Sequence, residues 1–325
     1  LKRLEEAEGL DSTQPKISFS PPVALDLALP LGMVNATTGY LLWMLLLAGC
    51  TALSIRLLGL LFERQSSQLH IYGLLFPPLL ACFLVGQLGI FLLLSIVLFF
   101  YWRETRPFLA GAALLPYAMK PHLLVVFAVA LILWVVTRRS YRILAGFALI
   151  LFINCALTLW MDRQIWSQYA QTVHRMAIQN VYVPTLSQSL RCLIDRNAVW
   201  IQLLPEIAGC LWALWYFRTR RARWSWLDQG LIVLLVSVAV APYAWFTDEA
   251  LLLPALLAGL YRAVELKRSL WPLILIVAVA HIEIFNIAKI NSPSYLWTVT
   301  AYLLWYLYAT GRIAPRLRQP LIPSP

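Results

Sequence analysis

The residues that could do chemistry in this chain are few, because 61% of it is hydrophobic and only 13% charged. They sit where apolar runs break. Lys120 lies in "AMKPHL", followed by Pro121 and His122. An ammonium between two apolar stretches is costly unless it holds a partner or ligand; its bland counterpart is a lysine snorkelling to the headgroups. Asp248 and Glu249 are adjacent in "PYAWFTDEALLLPALL". A carboxylate there can take a proton from a hydroxyl, bind a hydroxyl or a metal, or cap the helix that follows, with Thr247 or Asp248 accepting its first free N–H groups. Glu249 is expected to decorate that first turn, where an anion suits the helix dipole. Gln87, in "LVGQLG", can hydrogen-bond a ligand or hold a turn by donating to free carbonyls. Arg191, in "SQSLRCL" beside Ser189, can grip an anion bidentately or be a plain surface residue.

Such residues need a scaffold, and composition says which kind. A mean hydropathy of +0.73 over 325 residues lies outside the soluble range and predicts an all-α, multi-pass integral membrane protein. The first twenty residues are polar and lack the apolar core of a signal peptide. The net charge of +11 is divided into short clusters between apolar runs, such as "RRSYR", "RTRRAR", "YRAVELKR" and "GRIAPRLR". That is the pattern of cytoplasmic loops, and it argues against a nucleic-acid partner. Four of the five cysteines lie inside apolar runs. Neither they nor His122, His174 and His281 have a metal-like spacing, and His70 lies near the cytoplasmic end.

With about 20 apolar residues needed per crossing, spans are expected at 36–61, 142–161, 199–217, 229–243, 249–264, 269–287 and 294–311. The segments from Arg64 to Arg103 and from Arg106 to Arg138 begin and end beside positive clusters, so each must cross an even number of times. Each is expected to be a hairpin of two short helices, turning at Leu84 to Gly89 and at Ala118 to Leu123, where Gly or Pro breaks the pattern. Helices of about 15 residues rise only about 22 Å, less than a hydrocarbon core of about 30 Å. Their tips should therefore line a protein-walled or wet cavity open to the outside, with Gln87 and Lys120 at its floor or rim. About eleven crossings result.

The domains expected are an external first segment at 1–35, a transmembrane domain at 36–311 with an external loop at 162–198, and a cytoplasmic tail at 312–325. A polar N-terminus outside, beginning at Leu1, predicts a helix upstream of it. The loop mixes Trp166, Tyr169 and Tyr182 with Arg175, Arg191 and Arg196, which suits contact with lipid headgroups or sugars. Glu206 and Glu283 fall within helices near the outer half, either in a cavity or in helix–helix hydrogen bonds.

Five stretches in order carry a resemblance: "SPPVALDLALPLGMVNATTGYLLW", "VGQLGIFLLLSIVL", "RPFLAGAALLPYAMKPHLLVVFAVAL", "SQSLRCLIDR" and "APYAWFTDEALLLPALL". Together they resemble glycosyltransferase family 87, of the GT-C superfamily, from about Phe19 to about Leu257. The resemblance implies a polyprenol-phosphate-mannose-dependent type of enzyme: an inverting transfer of a hexose, mannose first, from a polyprenyl-phosphate donor to a lipid or glycan acceptor at the outer face of the plasma membrane. Its Lys-Pro pair matches Lys120 and Pro121, which implies a contact with the donor phosphate, and Arg191 is a second candidate for it. Asp248 matches the family's acid after Pro-Tyr/His. Gln87, Glu249, Ser189 and His122 are the expected polar groups of the cavity. The family's usual catalytic Asp lies in the first external loop, ahead of Pro-Pro; here that loop offers Glu5, Glu6, Glu8 and Asp11 in no recognisable motif, and "FSPP" lacks the usual tyrosine. The base is thus expected upstream of Leu1, with Asp248 a weaker candidate. No metal site and no cofactor is assigned, and a divalent cation stays open. Membrane lipids are the remaining partners.

Two other classes stay open. A transporter or flippase of lipid-linked sugars would also use broken helices, but with paired halves and a site near the midplane, whereas both hairpins fall in the first half. The other is an inactive, truncated copy.

Overall fold

The computed structural model describes residues 20–64, 67–175, 183–285 and 293–312, with only the backbone of His174, Arg175 and Pro293. Glu5, Glu6, Glu8, Asp11, Tyr182, most of the segment at 286–294 and the tail beyond Arg312 lie outside the described residues. All regular structure among the described residues is helical. Short helical turns cover Pro22–Ala24, Leu25–Ala28 and Leu29–Met33. The longer helices are α1 (Ala36–Leu61), α2 (Pro77–Val85), α3 (Gly89–Trp102), α4 (Pro107–Ala112), α5 (Val125–Arg138), α6 (Arg142–Met161), α7 (Ile165–Arg175), α8 (Leu186–Ile194), α9 (Leu203–Arg220), α10 (Gln229–Val240), α11 (Leu253–Glu265), α12 (Trp271–Ile284) and α13 (Thr298–Ala309).

The protein is an integral membrane protein. Three of its helical stretches, Ala36–Leu61, Pro121–Arg138 and Arg142–Met161, are long and apolar enough to cross a membrane, and shorter apolar helices include α3, α10 and α12. The pattern of exposure agrees: Trp160, Phe152, Leu45 and Ile282 are 84%, 70%, 68% and 65% exposed. Large apolar side chains exposed on helices of this length suit a hydrocarbon surround. Helix α8 is inverted in the same sense, burying Ser187, Gln188 and Arg191 while Leu193 and Ile194 face outward.

The core forms around α3 and α10, which are buried along nearly their whole length. Helix α1 packs on α3, and α5 packs on α9 and α10. At the centre Trp226 meets Phe99 and Phe127, each with ring centroids 5.1 Å away, and Trp134 and Trp224 beyond them. Helices α4 and α6 cross so closely that a Cβ on Gly111 would lie 1.9 Å from the Ile143 carbonyl oxygen and one on Gly146 2.0 Å from that of Phe108. Small residues permit this approach, which lets backbone dispersion hold helices that hydrocarbon cannot drive together.

Both expected breaks are present. Helix α2 ends at Gly86, whose φ of 65° is the left-handed conformation that glycine adopts without strain. The second break consists of 3-10 turns at Leu115–Met119 and Pro121–Leu124, with Lys120 between them. Helix α2 has nine residues, a rise of about 14 Å, so it cannot cross alone. The expected span at 249–264 is composite: a 3-10 helix over Phe246–Leu252 leads into α11, and Pro254 sits in the first turn of α11, where its missing N–H costs nothing.

Candidate functional site

The acidic stretch is built backwards from expectation. Trp245, not Thr247 or Asp248, is the N-cap of the 3-10 helix, and Asp248, three residues on, returns a carboxylate oxygen to the Trp245 N–H at 2.9 Å. This is the acidic half of a capping box. The other oxygen accepts from Lys120 Nζ at 2.7 Å. Asp248 is completely buried, and the Lys120 side chain is 11% exposed. The pair joins the second break to the 3-10 helix Phe246–Leu252 and ties residues 128 positions apart. A buried pair of this kind compensates a desolvation cost of several kcal/mol per ion in round terms, so neither partner is tolerable without the other.

The surroundings are aromatic. The His122 ring lies 5.8 Å from that of Tyr243, which lies 5.5 Å from Trp245. His122 Nε2 is buried and finds no hydrogen-bond partner among the described residues. Beyond Trp245 a cleft of about 130 Å³ opens between α2, the acidic stretch and α12, lined by Gln87, Trp245, Phe246, Thr247, Ile284 and Tyr295, with Ala81 and Val85 behind them. Phe246 and Tyr295 lie with ring centroids 4.7 Å apart in its wall, and the Thr247 hydroxyl has no hydrogen-bond partner among the described residues. Apolar walls with two convergent polar groups suit an amphipathic ligand.

Of the expected cavity residues, Gln87 lines this cleft. The turn is held by other groups among the described residues: the Gly86 carbonyl accepts from Trp43 Nε1 at 3.1 Å, and the Gln87 N–H closes the end of α2 on the Cys82 carbonyl at 3.0 Å. Glu249 is not an exposed decoration of the first turn. It is fully buried and accepts from the Thr298 hydroxyl at 2.5 Å, because consecutive residues of the 3-10 helix point to different neighbours and α13 covers this one. Ser189 donates to the Thr185 carbonyl within its own helix.

Arg191 is not a surface residue either. It is 1% exposed, donates from Nε to the Arg196 carbonyl at 2.7 Å and from Nη1 to Gln202 Oε1 at 2.9 Å, and Gln202 in turn donates to Gln188. This network fixes α8 against the turn Val199–Gln202, and Ser187 separately ties α8 to α10 by donating to the Val240 carbonyl at 2.7 Å. Glu283 is engaged across elements, accepting from Trp297 Nε1 at 3.3 Å. Glu206 Oε1 is left without a partner among the described residues.

One acid was invisible to local patterns. Asp26 lies in the segment Pro22–Met33, and its Oδ2 accepts from Asn154 Nδ2 at 2.6 Å; the same Asn154 nitrogen also reaches the Val23 carbonyl at 3.2 Å. Asn154, 2% exposed in the middle of α6, is the clue that sequence offered: a buried amide in an apolar helix needs a polar partner. The turn at Pro22–Ala24 also packs on Leu115–Met119, the turn that delivers Lys120. No group of three or more His, Cys, Asp or Glu able to hold a metal occurs among the described residues.

Residues 20–264 match the model of glycosyltransferase family 87. The chain belongs to that family. It is therefore a membrane glycosyltransferase, and the transporter reading gives way to the enzyme. No curated protein and no solved structure matches it. The family match spans Asp26, both helical breaks, the Arg191 network and the acidic stretch.

Proposed function

We propose that this family 87 glycosyltransferase moves a hexose, mannose first, from a polyprenyl-phosphate donor to a lipid or glycan acceptor at the outer face of the plasma membrane, inverting the anomeric carbon. The observation that carries the reading is the buried contact between Lys120 and Asp248, which fixes an ammonium at a helical break on the carboxylate that follows Thr247 of the cleft wall. In the transfer, a carboxylate takes the proton of the acceptor hydroxyl, its oxygen bonds to the anomeric carbon, and the bond from that carbon to the phosphate oxygen breaks. The leaving polyprenyl phosphate keeps the electron pair. Lys120 stabilises that developing charge, a role in which a preorganised cation is worth several kcal/mol in order of magnitude.

Asp248 is poorly placed as the base, since both its oxygens are bound. It positions Lys120. The base belongs to the first segment, where Asp26 is held by Asn154 through one oxygen. Arg191, sealed in its network, adds a fixed positive charge behind the loop rather than a direct contact. About eleven crossings, with the arginine-rich ends cytoplasmic, fit the two broken hairpins and the positive-inside rule.

The experiment presents the protein in proteoliposomes with labelled polyprenyl-phosphate mannose, polyprenyl-phosphate glucose or a nucleotide-linked hexose. Transfer from a polyprenyl-phosphate sugar alone, with inverted anomeric configuration, is expected. Transfer from the nucleotide sugar alone would refute the donor assignment. Asp26→Asn is expected to lower kcat by about 100-fold or more with KM little changed, the range of a lost general base; an unchanged kcat removes Asp26.

A further inference from the structure

The arginine-bearing end of the bundle holds a second site. Helices α1, α11 and α13 all finish there, at Leu61, Glu265 and Ala309. Between their ends lies a polar pocket of about 400 Å³ whose walls include Arg64, Arg262, Arg312, Asp228, Glu265 and Tyr261. Helix α10 starts beside it and runs its 12 residues toward the Lys120–Asp248 end, a separation of about 18 Å. The pocket is therefore distinct from the outer site.

Three guanidinium groups share two carboxylates here. Glu265 accepts from Arg262 at 2.8 Å and also from Arg64, while Asp228 pairs with Arg312. Among the described residues of the pocket one positive charge is left over. Each guanidinium has five N–H donors in a planar fork suited to phosphate oxygens, and the contacts to the acids use only some of them. If the ion pairs served only to latch three helix ends together, the space between them would be filled by side chains. It is instead roomy, and a neutral donor in its wall is unused: Tyr261 is 6% exposed, yet its hydroxyl has no hydrogen-bond partner among the described residues. A buried hydroxyl left so costs about 1–3 kcal/mol, a cost that a ligand oxygen removes. The ring is held edge-on by Phe62 and His70, with centroids 5.6 and 6.1 Å away, so the hydroxyl cannot swing elsewhere cheaply.

We propose that this pocket binds a phosphate group, through Arg64, Arg262 and Arg312 with the Tyr261 hydroxyl as the neutral donor. Two sources carry that chemistry at the arginine-bearing end: the headgroup of an acidic phospholipid and free phosphate. The two carboxylates oppose the anion. Removing one should therefore tighten binding, an effect a purely structural latch would not produce.

The test is thermal unfolding of the purified protein in neutral detergent, titrated separately with sodium phosphate, short-chain phosphatidylglycerol, and sodium chloride at matched ionic strength. Saturable stabilisation by a phosphate compound and none by chloride is expected. Response to both compounds, or to phosphate alone, assigns the site to the phosphate group itself; response to the lipid alone assigns it to a headgroup. Tyr261→Phe and Arg64→Gln should each raise the midpoint concentration about tenfold, the effect of a lost hydrogen bond to a charged group. Glu265→Gln should lower it. If Arg64→Gln does not fold, Tyr261→Phe, which keeps the ring and its packing, decides the question. Stabilisation equal to that by chloride, stabilisation by neither compound, or wild-type midpoints in Tyr261→Phe overturns the proposal.

Discussion

A Cβ on Gly89 would sit 2.5 Å from the carbonyl oxygen of Thr247 and 3.1 Å from Cys82 Sγ. The start of α3 thus touches the backbone of the acidic stretch directly, and the Cys82 thiol donates to the same carbonyl at 3.1 Å. Any side chain at position 89 must push Thr247 away, and Asp248 with it. Gly89→Ala is expected to cost about 1–3 kcal/mol, the usual range for overpacking, and to reduce transfer disproportionately. Parallel melting curves and transfer rates check this; wild-type transfer in a correctly inserted variant would show that the stretch is not a positioned part of the site.

The Lys120–Asp248 pair separates stability from activity. Asp248→Asn leaves the ammonium buried beside a weaker acceptor and is expected to cost about 3–5 kcal/mol. The double variant Lys120→Met with Asp248→Leu removes both charges and should recover most of that stability. It should not recover transfer. Recovery of both would mean that the pair is structural alone.

Glu249 makes the opposite prediction. Its place against Thr298 requires an acceptor and a filled volume rather than a charge. Glu249→Gln keeps both and is expected to fold and to transfer sugar at near the wild-type rate. Glu249→Ala, which opens a cavity and leaves the Thr298 hydroxyl only the Tyr295 carbonyl, 2.9 Å away, as acceptor, should lose about 2–4 kcal/mol. Chemical or thermal unfolding of the two variants distinguishes them, and a transfer defect in Glu249→Gln would give the carboxylate a chemical role.

These contrasts explain what the sequence made legible. The bounds of α1 and α6 follow from long, predominantly apolar runs, and at α1 from Asn35, whose side chain accepts from the Thr38 N–H at 2.9 Å. The breaks at Gly86 and Lys120 follow from residues that cannot continue a helix, and Lys120 stood out because charge in an apolar run demands a partner. That partner is 128 residues away and no periodicity points to it. For the same reason Glu249 read as a decoration of the first turn and Arg191 as either an anion contact or a surface residue: α13 covers the one, and Gln202 and the Arg196 carbonyl accept from the other. Local pattern reports what a residue can do, whereas burial reports what packs on it. Asp26 escaped because its only marker is Asn154, on a helix that reads as uniformly apolar.

The central claim is that Lys120 carries the leaving phosphate, and the most direct measurement is the rate of labelled hexose transfer from a polyprenyl-phosphate donor by wild-type protein and Lys120→Gln at equal membrane levels. The account predicts a fall in kcat of about 100-fold or more, in the range of a lost preorganised charge contact, with the variant still inserted and folded. An unchanged kcat would contradict it.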